Sequence, residues 1–278
     1  MKNRINRFIK RILITIKRPE MAILPGQLAF FFVLSLVPII SLIGVVASFF
    51  SVSAEKVIAF ANITFSPTVS EVITQILTAR SYDSNIVLFL LFAFIIASNG
   101  MTSIIRTSNI LYNTRVEDVL KLRIKAFVLT IIVVLLIIFI LLVPAFGGYI
   151  LDLLRETNAP SHYIDNAIIM YDMFKWPLSF VYIYINIKLI YTMAPDAEIR
   201  SKDVTYGALF TSIMWMIATS IFSYYVTHFA TYDLFYGSLS NIITLMFWIY
   251  ILCYVFVLGM ALNASREELD KTLINIYS

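Results

Sequence analysis

Charge is scarce in this chain. Only 14% of its 278 residues are Asp, Glu, Lys or Arg, where a soluble domain carries about a quarter. With 60% hydrophobic residues beside that shortage, an ordinary soluble surface is excluded. Cysteine is nearly absent. The lone Cys253 rules out an intramolecular disulfide. Histidine is nearly absent too, and His162 and His228 with one thiol leave no Cys/His set for zinc. Neither a metal nor a cofactor is expected. Clustered ionisable residues are missing from the apolar stretches. A charge at the centre of a membrane helix costs about 2.5–3.5 kcal/mol, and such residues usually mark ion or proton paths. Their scarcity disfavours a proton- or sodium-coupled pump. A signal peptide is not expected either. The first apolar stretch is too long for a signal h-region and has no small-residue cleavage pattern.

Six long apolar stretches are present, and the bases sort between them. Of the 21 Lys and Arg residues, 17 lie in or nearest alternate connections beginning with the N-terminal tail, and 4 lie in or nearest the others. Acidic residues divide 9 against 8. Membrane topology follows Lys and Arg and largely ignores Asp and Glu. The expected fold is therefore all-α, a polytopic membrane protein of six transmembrane helices with amphipathic surface helices and both termini in the cytoplasm. A bilayer core of about 30 Å needs roughly 20 helical residues. The spans fall at about 22–50, 86–105, 126–146, 174–194, 204–226 and 239–263, inside a domain over 21–264. The net charge of +4 and pI near 9 then mean basic residues beside anionic headgroups, with no nucleic-acid partner.

The flanking segments have patterns of their own. In residues 1–20, Ile5, Phe8, Ile12 and Ile16 recur every three or four positions among seven bases, which predicts an amphipathic helix on the cytoplasmic surface. Residues 265–278 form a cytoplasmic tail. Between the first two spans, Ser66-Pro67 reads as an N-cap followed by proline at the first helical position. Val69, Val72, Ile73 and Ile76 follow as a helical stripe, so one or two helices should lie on or over the outer side of the bundle. Pro38 is expected to kink the first span. Residues 163–173 are expected as an interfacial helix ahead of the fourth span.

Functional candidates concentrate at the end of the second span. Asn99, Ser103 and Arg106 share a helix face, and Asn109 and Asn113 follow. Interhelical hydrogen bonding is the plainer explanation. The functional one is a polar groove open to the cytoplasm, in which Arg106 meets a lipid phosphate, because a guanidinium binds phosphate oxygens in a bidentate way. The remaining inner bases, among them Lys121, Arg123, Lys125, Arg200 and Lys202, read mostly as topology. Lys188 is placed to snorkel, and the Asp172/Lys175 pair to be a surface pair of little weight.

Four stretches carry a family resemblance: LAFFFVLSLVPII, YTMAPDAEI, ALFTSIMWMIATSIFSYYV and YGSLSNIITLMFWIYILCYVFVLGMALNA. They resemble the YihY/virulence factor BrkB family of bacterial inner-membrane proteins, over about Ala22 to Asn263. The most specific matching positions are Pro195, Gly207, Trp215, Phe222, Tyr225, Tyr236, Gly237, Ser238, Trp248, Gly259 and Asn263, with Pro38 in the first stretch. The resemblance implies a six-helix protein of the bacterial cytoplasmic membrane and little chemistry. Members have been linked to serum resistance and to transport of envelope lipid or lipopolysaccharide precursor, and some carry a ribonuclease label. Both histidines fall on the outer side here, and no inner loop holds metal ligands or a His-based acid/base pair, which argues against that label.

The leading expectation is a protein that handles or transports an envelope lipid, flippase-like or accessory to export. Its partners would be membrane lipids, either anionic phospholipid or a lipopolysaccharide precursor. The alternative is a membrane scaffold that recruits envelope-biogenesis partners. An intramembrane enzyme is the weakest reading, since no catalytic constellation is visible.

Overall fold

The computed structural model describes residues 12–49, 54–64, 67–78, 86–114, 118–136, 161–228 and 240–277. They are mostly helical, with turns at 112–114 and 194–204, and no strand occurs among them. Helix α1 is Glu20–Phe49, α2 Ala54–Thr64, α3 Pro67–Thr78 and α4 Ile86–Leu111. Helix α5 covers 119–136. Helix α6 is Ser161–Met193, α7 Thr205–His228 and α8 Ser240–Tyr277.

Two segments of this set, Thr205–Val226 and Ile242–Ser265, are long and apolar enough to cross a bilayer. The outward side of α7 shows what such a helix faces. Leu209, Ile213, Ile217 and Ile221 are exposed at every fourth position. An unbroken stripe of exposed β-branched and aliphatic side chains suits lipid and not water.

The buried core lies toward one end of the bundle. It takes Met21, Leu24 and Leu28 from the start of α1, and Ile104, Ile105 and Leu111 from the end of α4. Leu122, Ala126 and Leu129 come from the start of α5, Ile187, Ile190 and Tyr191 from the end of α6, and Val204 and Ala208 from the start of α7. The second half of α8 passes through the middle, buried on every side from Val255 to Ala261. These are the helix ends that the charge count assigns to the cytoplasm.

Several element boundaries differ from the sequence expectation. Helix α4 continues past the expected span at 86–105 to Leu111, so Arg106 and Asn109 lie on the same helix as Asn99 and Ser103. Helix α6 is continuous from Ser161 through Pro177, and the expected interfacial segment at 163–173 is its first three turns. Neighbouring turns can re-satisfy the carbonyl that a proline frees, so an apolar helix tolerates one internally. Helix α1 likewise continues through Pro25 and Pro38. Helix α8 extends to Tyr277, which makes the expected tail helical. The connection between α1 and α4 forms two helices, α2 and α3, and α3 opens on Pro67. Helix α3 packs on α1 and α8, with Leu77 buried and Ile73 against the main core. Of the N-terminal pattern, Ile12 packs on the core while Ile16 is exposed. Ile5 and Phe8 lie outside the described residues, as do 137–146 of the third span.

Candidate functional site

Two polar assemblies hold the packed end together. The first begins at the C-terminus of α4. Asn113 has a left-handed backbone, φ 53°. That turn lets the Thr114 N–H reach Asn109 O at 2.9 Å and the Asn113 N–H reach Ile110 O at 3.2 Å, the pattern that closes a helix and satisfies its last carbonyls. Asn113, which the sequence placed on the polar face, is thus the helix terminator. The cap also fixes Asn109. Its Oδ1 accepts from the Asp196 backbone N–H at 2.9 Å and the Thr114 hydroxyl at 3.1 Å. Its Nδ2 donates to Asp196 Oδ2. From α5, Lys125 pairs with Asp196 Oδ1 and donates to Pro195 O at 2.9 Å. The Asp196 side chain is 9% exposed and that of Lys125 27%. This junction ties α4, α5 and the loop after α6 together through a nearly buried ion pair, whose remaining lone pairs are used by Asn109.

Farther back along α4, Asn99 Oδ1 accepts from Arg123 Nη1 of α5 at 2.8 Å. One turn further in, the rings of Phe94 and Phe127 lie 5.5 Å apart, so α4 and α5 are side by side at this level. Asn99 is half-buried, and Ser103, one turn nearer the C-terminus of α4, is buried with its hydroxyl unpaired.

Arg106 is not among these groups. It is exposed, in line with Ile110, another outward residue of α4. The sequence placed Asn99, Ser103, Arg106 and Asn109 as neighbours. The structure buries Ser103 and Asn109 and leaves Arg106 exposed, although Arg106 lies about 60° from each around the helix; what differs is which neighbours pack against α4 at each level. The inward bases are Arg123 and Lys125, which the sequence reading assigned mostly to topology. The APD turn was the available signal: Pro195 is buried, and Asp196 is a carboxylate that meets the Asn-rich end of α4 through Asn109.

The second assembly joins α6, α7 and α8. Tyr191 is fully buried, and its hydroxyl donates to Phe256 O at 2.6 Å. With its proton used, it accepts from Thr211 Oγ1 at 2.8 Å. Helix α7 starts after Val204, whose side chain cannot cap it. Asn263 of α8 supplies the cap instead: its Oδ1 accepts from the Gly207 N–H at 2.8 Å, and its Nδ2 donates to Val204 O at 3.3 Å. Glycine is required at both crossing points. A Cβ on Gly207 would lie 2.3 Å from Gly259 O, and one on Gly259 would lie 1.9 Å from Thr211 Oγ1. Trp215 Nε1 donates to Leu252 O at 2.8 Å, one contact further along the same seam. Phe222 is buried, Trp248 packs on the core, and Tyr225 is exposed. Tyr236, Gly237 and Ser238 lie outside the described residues.

The model of the family described as virulence factor BrkB matches residues 16–274. The chain belongs to that family. A ribonuclease-like protein of Bacillus subtilis, YfkH, is 29% identical over 251 residues, covering 88% of this chain and 90% of its own length. A UPF0761 membrane protein of Idiomarina loihiensis is 29% identical over 93 residues, 34% of this chain and 33% of its own. One from Tolumonas auensis is 34% identical over 90 residues, 32% and 30% of the two chains. No solved structure matches. The protein is thus a membrane protein of the BrkB/UPF0761 family. That is not a known enzyme family, and the ribonuclease-like wording belongs to the Bacillus relative. Among the described residues, no three His, Cys, Asp or Glu side chains converge as a metal site would need.

Proposed function

We propose that this BrkB-family protein handles an anionic envelope lipid at the cytoplasmic leaflet of a bacterial inner membrane. The observation that carries the reading is the outward Arg106, set beside Ile110 at the apolar-to-polar edge of α4. A guanidinium there is at headgroup depth, faces lipid directly, and can clasp a phosphate with two N–H groups. Its polar neighbours are engaged or buried within the bundle, which leaves Arg106 to meet the bilayer. Six long helices, α1 and α4 to α8, and the 17-to-4 distribution of bases support six spans with both termini inside.

The test is reconstitution of the full chain into vesicles holding fluorescent phosphatidylglycerol. Movement of that lipid between leaflets should exceed the rate in empty vesicles, and Arg106→Ala should reduce it several-fold while Arg106→Lys retains part. Rates equal to protein-free vesicles sink the transport version. Rates unchanged by Arg106→Ala sink the role of that residue. A scaffold would give the first of these results.

A further inference from the structure

We infer that Arg123, Asn99 and Ser103 form a second phosphate-binding point, inside the bundle and below the level of Arg106. The inference rests on the lipid-handling reading for the class of its ligand. Three observations carry it. Arg123 is half-buried between α4 and α5 and touches a neutral group, Asn99 Oδ1, at 2.8 Å. The contact of its guanidinium is to that neutral amide, and neither the Lys125–Asp196 nor the Arg200–Asp203 ion pair brings a carboxylate to it. Ser103, next to Asn99 on the same side of α4 at a spacing of four, is 2% exposed and its hydroxyl has no partner.

Each is unfavourable alone. A cation drawn into an apolar bundle without a counter-ion keeps most of its desolvation penalty. A buried hydroxyl without a partner loses its hydrogen bonds to water and gains none. A phosphate group resolves both. One N–H of the guanidinium is used by Asn99, which holds the fork in place, and others remain for phosphate oxygens. The Ser103 hydroxyl can donate to the same group. Position supports a path. Asn99 is six residues inward of the expected cytoplasmic edge at 105, about 9 Å along a helix. Arg123 starts from α5 three residues before the expected span at 126 and reaches inward to Asn99, so a phosphate bound there sits at the inner boundary of the headgroup layer. Arg106 and the Arg123–Asn99 point then form consecutive stations for a headgroup moving inward along α4.

Ser103→Ala separates this from a merely structural hydrogen bond. It deletes an unpaired hydroxyl, so unliganded stability should be unchanged or higher. The measurement is thermal unfolding of the full-length protein in detergent, read at the single buried thiol of Cys253, against rising phosphatidylglycerol, inorganic phosphate or diacylglycerol. Phosphatidylglycerol should raise the midpoint of the natural chain and diacylglycerol should not. A response to inorganic phosphate as well would identify the free ion as a sufficient ligand. Ser103→Ala should raise the half-maximal phosphatidylglycerol concentration about threefold or more, as expected for one lost hydrogen bond. Arg123→Gln should abolish the response, and Asn99→Ala serves in its place if that variant does not fold. If Ser103→Ala and the Arg123 or Asn99 variant respond as the natural chain does while Arg106→Ala does not, binding occurs at the edge alone and the inner point is wrong. If phosphatidylglycerol has no effect on the natural chain, the inner point and the lipid reading fail together.

Discussion

At the scale of single residues, polar groups outweigh apolar ones in deciding how these helices meet. Asn263 is the clearest case. It gives α7 the N-cap that Val204 cannot, and it does so from another helix. Asn263→Leu should remove the cap and leave the Gly207 N–H buried without an acceptor. The expected loss is about 1–3 kcal/mol, measured as a lower unfolding midpoint in detergent. The glycines should divide by their surroundings. Gly259→Ala and Gly207→Ala force a methyl into space already filled by Thr211 Oγ1 and Gly259 O, and should cost about 1–3 kcal/mol or more. Gly100→Ala meets Ser35 Oγ at 3.4 Å, near ordinary contact, and should cost under about 1 kcal/mol by the same measurement. Equal effects at all three glycines would show that the seam between α7 and α8 is looser than drawn.

Among elements, the weight falls on the junction of α4, α5 and the loop at 194–204. The ion pair of Lys125 and Asp196 is almost buried on one side and open on the other. Fully buried pairs lose about 3–5 kcal/mol when one partner is removed. Lys125 keeps some access to water, so Asp196→Ala should cost less, about 1–3 kcal/mol. Lys125→Met combined with Asp196→Leu should cost less than Asp196→Ala alone, because no charge is then stranded. A double-mutant cycle on unfolding midpoints checks this, and additive effects would mean the two side chains are not coupled. The exposed pair Arg200–Asp203, 2.9 Å apart, should contribute little in comparison. Asn113 belongs to the same junction. Asn113→Gly should be tolerated and Asn113→Val should not, since a β-branched residue resists a left-handed backbone.

For the whole molecule, topology is the property to test. In a Cys253→Ala background, cysteines placed at Asn3, Ser201 and Ser278 should react with an impermeant maleimide only after the membrane is opened. One at Asn158 should react in intact cells. Cys253 itself is buried, and in the natural chain it should stay unlabelled until denaturant is added. Labelling of Asn158 and Ser201 from the same side would overturn the six-span arrangement. The concentration of the buried core toward the expected cytoplasmic end also predicts which part unfolds last. Amide exchange should be slowest over the second half of α8 and the Tyr191 turn of α6, where packing and hydrogen bonding coincide.

Composition alone was enough to reveal a membrane protein built from helices. Too little charge, and bases sorted into alternate gaps, leave few other solutions, because a bilayer core offers the backbone no hydrogen-bond partners. Proline at 67 marked the start of α3, and the glycines and asparagine near the ends of α7 and α8 stood out as a family pattern. What the sequence did not determine was pairing. A helical repeat says which residues share a face, yet it is silent on what that face meets. Arg106 and Arg123 look alike in sequence, each a base near a span end. One is exposed on the outside of α4 and the other reaches Asn99, because α5 begins early and lies against α4. Asp196, written as a loop charge, became the acceptor for both Lys125 and Asn109. Which polar groups are satisfied inside the bundle, and which remain to meet the membrane, depends on contacts between helices distant in sequence, and only the tertiary structure sets those.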